Sequence, residues 1–238
     1  MWLSRPPSGL FLCGAILAGV ITLPLLYVLF TALTTDVETW SRLWTTRIPE
    51  LLVNTLLLAV GVSLGTVWLG VSLAWLLTRY RFWGSRVWEW LIILPLAIPS
   101  YVLAYIYTYL LGKGGPVDAF LQFITGTEGQ IFSPFSFAGA TLVMTLNTFS
   151  FVYLLARTAF RNFNLSFEEA ARVTGATAWA TFIRVFFPLI RPAVAAGLFL
   201  AILYVVSDFG AVSLLRYQTF TYAIYQQMES RFDYAAAA

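Results

Sequence analysis

Charge is spread along these 238 residues so as to leave five long gaps. No Asp, Glu, Lys or Arg falls between Arg5 and Asp36, between Glu50 and Arg79, or between Glu89 and Lys113. The apolar parts of these gaps cover residues 10–33, 51–77 and 90–112. A fourth run covers residues 135–156 and ends at Arg157, and a fifth covers residues 193–215, interrupted only by Asp208. Each approaches or exceeds the ~20 residues that cross ~30 Å of hydrocarbon. A core helix of a water-soluble protein would keep a polar face over such a length. The pattern predicts five transmembrane helices. The first run is too long for the apolar region of a signal peptide, and Cys13 falls too early in it for a lipoprotein signal.

Composition narrows the function. Hydrophobic residues make up 60% of the chain and charged ones 11%, against about 45–50% and about 25% in ordinary soluble domains. So much apolar surface excludes disorder. A scattered net charge of +3 does not make a nucleic-acid reader, so no nucleic-acid partner is expected. The expected surroundings are a lipid bilayer. Histidine is absent and Cys13 is the only cysteine, which excludes an internal disulfide, a Cys/His zinc site and any histidine-dependent catalytic unit. No resident metal site and no catalytic residue are expected. The sequence has no phosphate-binding G-x-x-x-x-G-K-[ST] loop, and Gly112-Lys113-Gly114-Gly115 does not supply one. Nucleotide-driven work would have to come from another chain.

Nine of the fourteen Lys and Arg fall in segments that are cytoplasmic if the N-terminus is inside. These are Arg5, the group Arg79, Arg81 and Arg86, and five arginines between residues 157 and 192. The positive-inside rule therefore predicts a cytoplasmic N-terminus. Beyond Arg231-Phe232-Asp233-Tyr234 the chain enters Ala235–Ala238, which reads as the start of a sixth, truncated helix. No internal repeat is visible.

Residues 157–192 carry the most information. Ser166-Phe167-Glu168-Glu169 has the form of a capping box. Gly175 suits the left-handed position that ends a helix, with Arg172 in its last turn. Thr177 caps a second short helix, expected to end near Pro188. Phe182, Val185 and Phe186 fall on one face of it. A hairpin this short would not bury that face alone, so a partner surface is expected.

Glu169-Ala170-Ala171, three residues, Gly175, nine residues, Val185, one residue and Phe187-Pro188 resemble the EAA loop of binding-protein-dependent ABC importer permeases. Val185 and Phe187 stand where the family pattern has isoleucine and leucine. Asn54-Thr55-Leu56 resembles the family's N-T-L segment. Residues 95–101, Pro95-Leu96-Ala97-Ile98-Pro99-Ser100-Tyr101, and residues 207–212 around Asp208 resemble the ferric-iron subgroup. The resemblance implies an all-α, polytopic membrane bundle of the MetI-like permease fold, with residues 1–238 forming one transmembrane domain. It implies the N-terminal half of a tandem permease of the bacterial inner membrane, paired with a second half. Residues 157–192 would be the cytoplasmic coupling loop, docking on a dimer of ABC ATPase subunits that use ATP and Mg, with Glu169, Ala170, Ala171, Gly175, Val185 and Pro188 at the contact. A substrate-binding protein would deliver cargo near residues 34–50 and 112–134. Ferric iron is the implied cargo; thiamine, polyamines and sulfate are carried by similar permeases.

Within the spans, Asp208 either lines the route of a cation or is a structural group at the outer end of the fifth helix, with Arg216 on the same face; both readings stay open. Pro95 and Pro99 interrupt the third span and free the carbonyls of Leu91 and Pro95. Tyr101, Tyr105 and Tyr109 form one stripe, read first as packing or interfacial anchoring and second as a transient ferric contact. Together Asp208, Tyr101, Tyr105, Pro95 and Pro99 are the candidate pathway residues. Gly61 and Gly65 are read as close helix packing. The competing functions are an ion-coupled transporter that titrates Asp208 and, far behind, an intramembrane enzyme.

Overall fold

A computed structural model describes residues 8–126, 129–162, 175 and 177–230. These divide into two units, Met1–Leu51 with Ala223–Ala238, and Leu52–Tyr222. In the first unit, α1 (Ser8–Thr34) is apolar on every side and exposed from Gly9 to Phe30. Its threonines do not disturb this. Thr22, Thr31 and Thr34 donate their hydroxyls to carbonyls four residues back, at 2.9 Å each, so these hydroxyls do not face hydrocarbon unsatisfied. After two linking residues α2 (Val37–Thr46) begins, capped by Asp36, whose carboxylate accepts the Thr39 amide at 3.2 Å. Hydrogen bonds from the Thr39 side chain and then from its amide hold the Asp36 carboxyl below its ordinary value. The Trp40 indole donates to the Ala32 carbonyl at 3.1 Å and ties α2 back to α1.

The second unit is organised around α7 (Phe137–Arg161), which Ser136 caps by accepting the Gly139 amide. Two spans lie against it, α3 (Ile48–Arg79) and α9 (Phe187–Ser207). Glycines set both approaches. A Cβ on Gly70 of α3 would lie 2.9–3.0 Å from Val152 Cβ, the Phe149 carbonyl and the Tyr153 amide. One on Gly197 of α9 would lie 2.7 Å from Val152 Cα. Val152 is thus gripped from both sides and fully buried. In a bilayer, where apolar side chains gain nothing by leaving lipid, such close backbone packing is the main source of helix association. Gly61 and Gly65 belong to the same α3 seam and face Thr141 and Thr145.

The third apolar run is not one straight span. It forms α4 (Ser85–Leu91), a 3₁₀ turn (Leu94–Ala97) and α5 (Ser100–Leu111), followed by α6 (Pro116–Thr125). The limbs Ser85–Ala97 and Ser100–Thr125 meet at 107°. Ile98, forced out of the helical region by the proline after it, is extended at φ −100° and ψ 127°. The Pro95 carbonyl, expected to be free, accepts the Ile98 amide. Ser150 of α7 donates its hydroxyl to the Ile92 carbonyl and satisfies the broken ladder from the side.

The fifth run also differs from expectation. Its helix begins at Phe187 and ends at Ser207, and the chain then turns into α10 (Gly210–Leu214) and α11 (Phe220–Ser230). Asp208 caps the break, so Arg216 does not continue its face; Arg216 adopts a left-handed φ of 53° and stacks over Phe135 at 5.4 Å. The connection before α7 is pinned by Asp118, 2% exposed, whose carboxylate accepts Gly114 N, Gln122 Nε2 and Ile131 N.

Candidate coupling elbow and transport route

Gly175 has φ +77°, the left-handed conformation its sequence position predicts, and among the described residues no atom beyond its chain neighbours lies within 4 Å of where its Cβ would be. Thr177 accepts the Ala180 amide at 3.2 Å and caps α8 (Ala178–Thr181) as expected. Glu169, Ala170 and Ala171 lie outside the described residues, as do the capping box at 166–169, Arg172 and the side chain of Val185. Beyond Thr181 the structure departs from the sequence reading. The helix does not stop at Pro188. A π turn (Phe182–Phe186) carries it into α9, with the Phe187 amide donating to Phe182. Pro188 lies in the first turn of α9, where a missing donor is tolerated, and it is exposed. Residues 178–207 therefore form one continuous helical element with a single wide turn, a feature that recurs at functional sites.

Two residues of the apolar face of that turn, Phe182 and Phe186, find partners within the chain. Trp75 of α3 meets Phe182 and Phe186 edge-on at 5.0 and 4.8 Å and Phe160 of α7 at 5.4 Å. For Phe182 and Phe186 the covering surface that the sequence called for is supplied in part by α3 and α7. Exposed Ile183, Arg184, Pro188 and Leu189 remain on the outward side. Phe182 and Phe186 are thereby held against α3 and α7, and the helix they belong to continues as α9.

The two broken runs meet. A Cβ on Gly210, two residues after Asp208, would lie 3.1 Å from Tyr101 Cβ and 3.2 Å from Ser100 Oγ. The Pro99–Tyr101 break and the Asp208 break thus share one junction, which sequence spacing did not reveal. Asp208 is half-buried; its Oδ1 accepts the Ala211 amide at 2.7 Å and its carbonyl accepts the Thr221 hydroxyl. Tyr101, Tyr105 and Tyr109 are all exposed along α5, a stripe that the chain itself leaves uncovered. Asn54 and Thr55 anchor the far side of the connection: the Asn54 carbonyl accepts Tyr217 OH at 3.4 Å, and Thr55 Oγ1 accepts the Phe220 amide at 3.2 Å. Burial pushes the Tyr217 phenol up.

Sequence reasoning missed the polar row Thr145, Asn147, Thr148 and Ser150, buried inside α7. Its signal was a cluster of polar residues in an otherwise apolar run. Thr148 and Thr66 approach to 3.3 Å across the α3–α7 seam. Among the described residues, no group of three or more carboxylates, cysteines or histidines is placed to hold a metal ion.

Residues 66–237 match the family described as binding-protein-dependent transport system inner membrane component. The chain is 35% identical to the Fe(3+)-transport system permease protein FbpB 2 of Haemophilus influenzae, over 98% of this chain and 42% of that protein. It is 33% identical to the molybdenum transport system permease protein ModB of the same organism, over 64% of this chain and 65% of that one. The chain therefore spans less than half of the first relative and under two thirds of the second. A crystal structure of a bacterial alginate ABC transporter, in complex with an alginate-bound periplasmic protein, superimposes with a TM-score of 0.75 at 18% identity, over 95% of this chain and 85% of its counterpart. The family match over residues 66–237 and the 35% identical relative show that the chain belongs to the binding-protein-dependent ABC importer permeases, with the MetI-like helical fold.

Proposed function

We propose that this chain is the N-terminal half of a tandem permease that imports ferric iron. The observation that carries the reading is the alignment of nearly the whole chain with an iron permease more than twice its length. In this reading a binding protein delivers cargo to the external segments, and residues 157–192 dock on a partner ATPase dimer that hydrolyses ATP with Mg. Glu169, Ala170, Ala171, Gly175, Val185 and Pro188 form the contact, and a cytoplasmic N-terminus places it on the ATPase side. Family membership favours this over an ion-coupled transporter or an intramembrane enzyme.

The elbow geometry supports the mechanism. ATP-driven closure of the ATPase dimer moves the elbow; the aromatic lock on Trp75 and the Gly197–Val152 contact pass that motion to α9 and α7. The junction of Ser100–Tyr101 with Gly210 lies where α5 and α9 are broken, so it changes shape without disturbing unbroken helices. Asp208, Tyr101, Tyr105, Pro95 and Pro99 then border the route. A molybdenum-type oxyanion is the second reading, from the shorter match to ModB.

Reconstituting the full-length permease with its ATPase and binding protein in vesicles tests this. Uptake of radioactive ferric iron that requires ATP is expected. Uptake of molybdate in its place would replace the cargo, and uptake of either without ATP would overturn the importer reading.

A further inference from the structure

A polar cavity of about 610 Å³ opens where α3 and α7 end, roofed by α4. Arg81, Arg86, Arg157 and Arg161 line it, with Ser85 and a single carboxylate, Glu89. Glu89 is already committed to Arg157, at 2.5 Å. Among the described residues no ion pair engages Arg81, Arg86 or Arg161. Guanidinium groups crowded round one space repel one another, and the planar fork of each is matched to phosphate oxygens.

We infer that this cavity binds the phosphate of an anionic phospholipid headgroup. The surroundings favour a lipid over a free anion. Arg86 and Glu89 of α4 line the cavity, while Val87, Trp88 and Trp90 of the same short helix are exposed, and Trp83, just before it, is 99% exposed. Tryptophans beside arginines at the ends of two spans are the composition of a membrane–water interface. Basic pockets between spanning helices are suited to anionic headgroups. Exposed Trp68 and Leu76 on α3 give acyl chains an apolar surface to follow. The proposed orientation decides only which leaflet supplies the lipid, here the cytoplasmic one.

The test uses the full-length permease in detergent, with melting followed during titration by phosphatidylglycerol, phosphatidylcholine or inorganic phosphate, and retained lipid read by native mass spectrometry. Phosphatidylglycerol is expected to be retained and to raise the melting temperature, and the other two are not. The Arg81→Gln/Arg86→Gln variant is expected to bind it about 30-fold more weakly, from about 1 kcal/mol per arginine at an anionic surface, and the corresponding double Lys variant to keep most of the affinity. Should the double Gln variant not fold, Arg86→Gln alone is expected to lose about fivefold. Equal protection by both lipids, or by inorganic phosphate, overturns the inference. So does unchanged affinity in the Gln variants, or loss of the lipid when the ATPase assembles. None of these readouts depends on transport, so failure of the import proposal would be seen separately.

Discussion

The grip on Val152 can be tested by adding one methyl group at a time. A Cβ at Gly70 would sit 2.9–3.0 Å from a side-chain carbon, a carbonyl oxygen and an amide nitrogen of α7. Comfortable carbon contacts lie near 3.5–4.0 Å, so α3 and α7 must part by roughly 0.5–1 Å, which forfeits about a quarter to a half of each pairwise attraction along the seam. Overpacking of this kind costs about 1–3 kcal/mol. Alanine also improves the helix by about 1 kcal/mol over glycine, so Gly70→Ala alone would show only the remainder. Gly14→Ala in α1, where among the described residues no atom beyond its own helix turns lies within 4 Å of the added Cβ, removes that ambiguity because it carries the propensity gain alone. The difference between the two variants isolates the backbone clash, and Gly197→Ala, against Val152 Cα at 2.7 Å, should behave like Gly70→Ala. Unfolding in mild detergent titrated with a denaturing one, followed by helix content, measures it. Gly70→Ala and Gly197→Ala as stable as Gly14→Ala would refute the reasoning.

Three other contacts give measurable outcomes. Ser150→Ala removes the hydroxyl that the Ile92 carbonyl accepts beside the proline break; leaving that acceptor unpaired should cost about 1–3 kcal/mol in the same unfolding assay. Asp208→Asn keeps an oxygen to cap Ala211 but loses the charge. Vesicle uptake of a cation should fall with melting unchanged, whereas full uptake would leave Asp208 a cap alone. Asp36 has its carboxyl held below the ordinary 3.8 by hydrogen bonds from the Thr39 side chain and amide, so the stability it lends the start of α2 is present above that pH and lost as pH falls through the lower folded value. The protection of the Thr39 amide from hydrogen exchange, taken relative to its intrinsic rate at each pH, should fall over that window, and Asp36→Ala should abolish that fall.

The spans were legible because hydrocarbon imposes a length and forbids charge, and both are written in the order of residues. The turn at Gly175 and the cap at Thr177 were legible for a local reason, since left-handed backbone and side-chain capping depend on single residues. Junctions between distant segments were hidden. Nothing near Pro99 in sequence says that Gly210 lies against it, and Phe182 reads as an uncovered face until Trp75, more than a hundred residues earlier, is placed beside it. The continuation through Pro188 was hidden because proline predicts a stop wherever the preceding turn is an ordinary α turn. Here a π turn precedes it.

The central claim is that residues 157–192 transmit work from a separate ATPase. ATP hydrolysis by the assembled full-length transporter, with and without loaded binding protein, tests it most directly when Glu169→Arg is compared with the unsubstituted chain. Basal hydrolysis is expected to persist while stimulation by the loaded binding protein is lost. Stimulation undiminished by Glu169→Arg would contradict the claim.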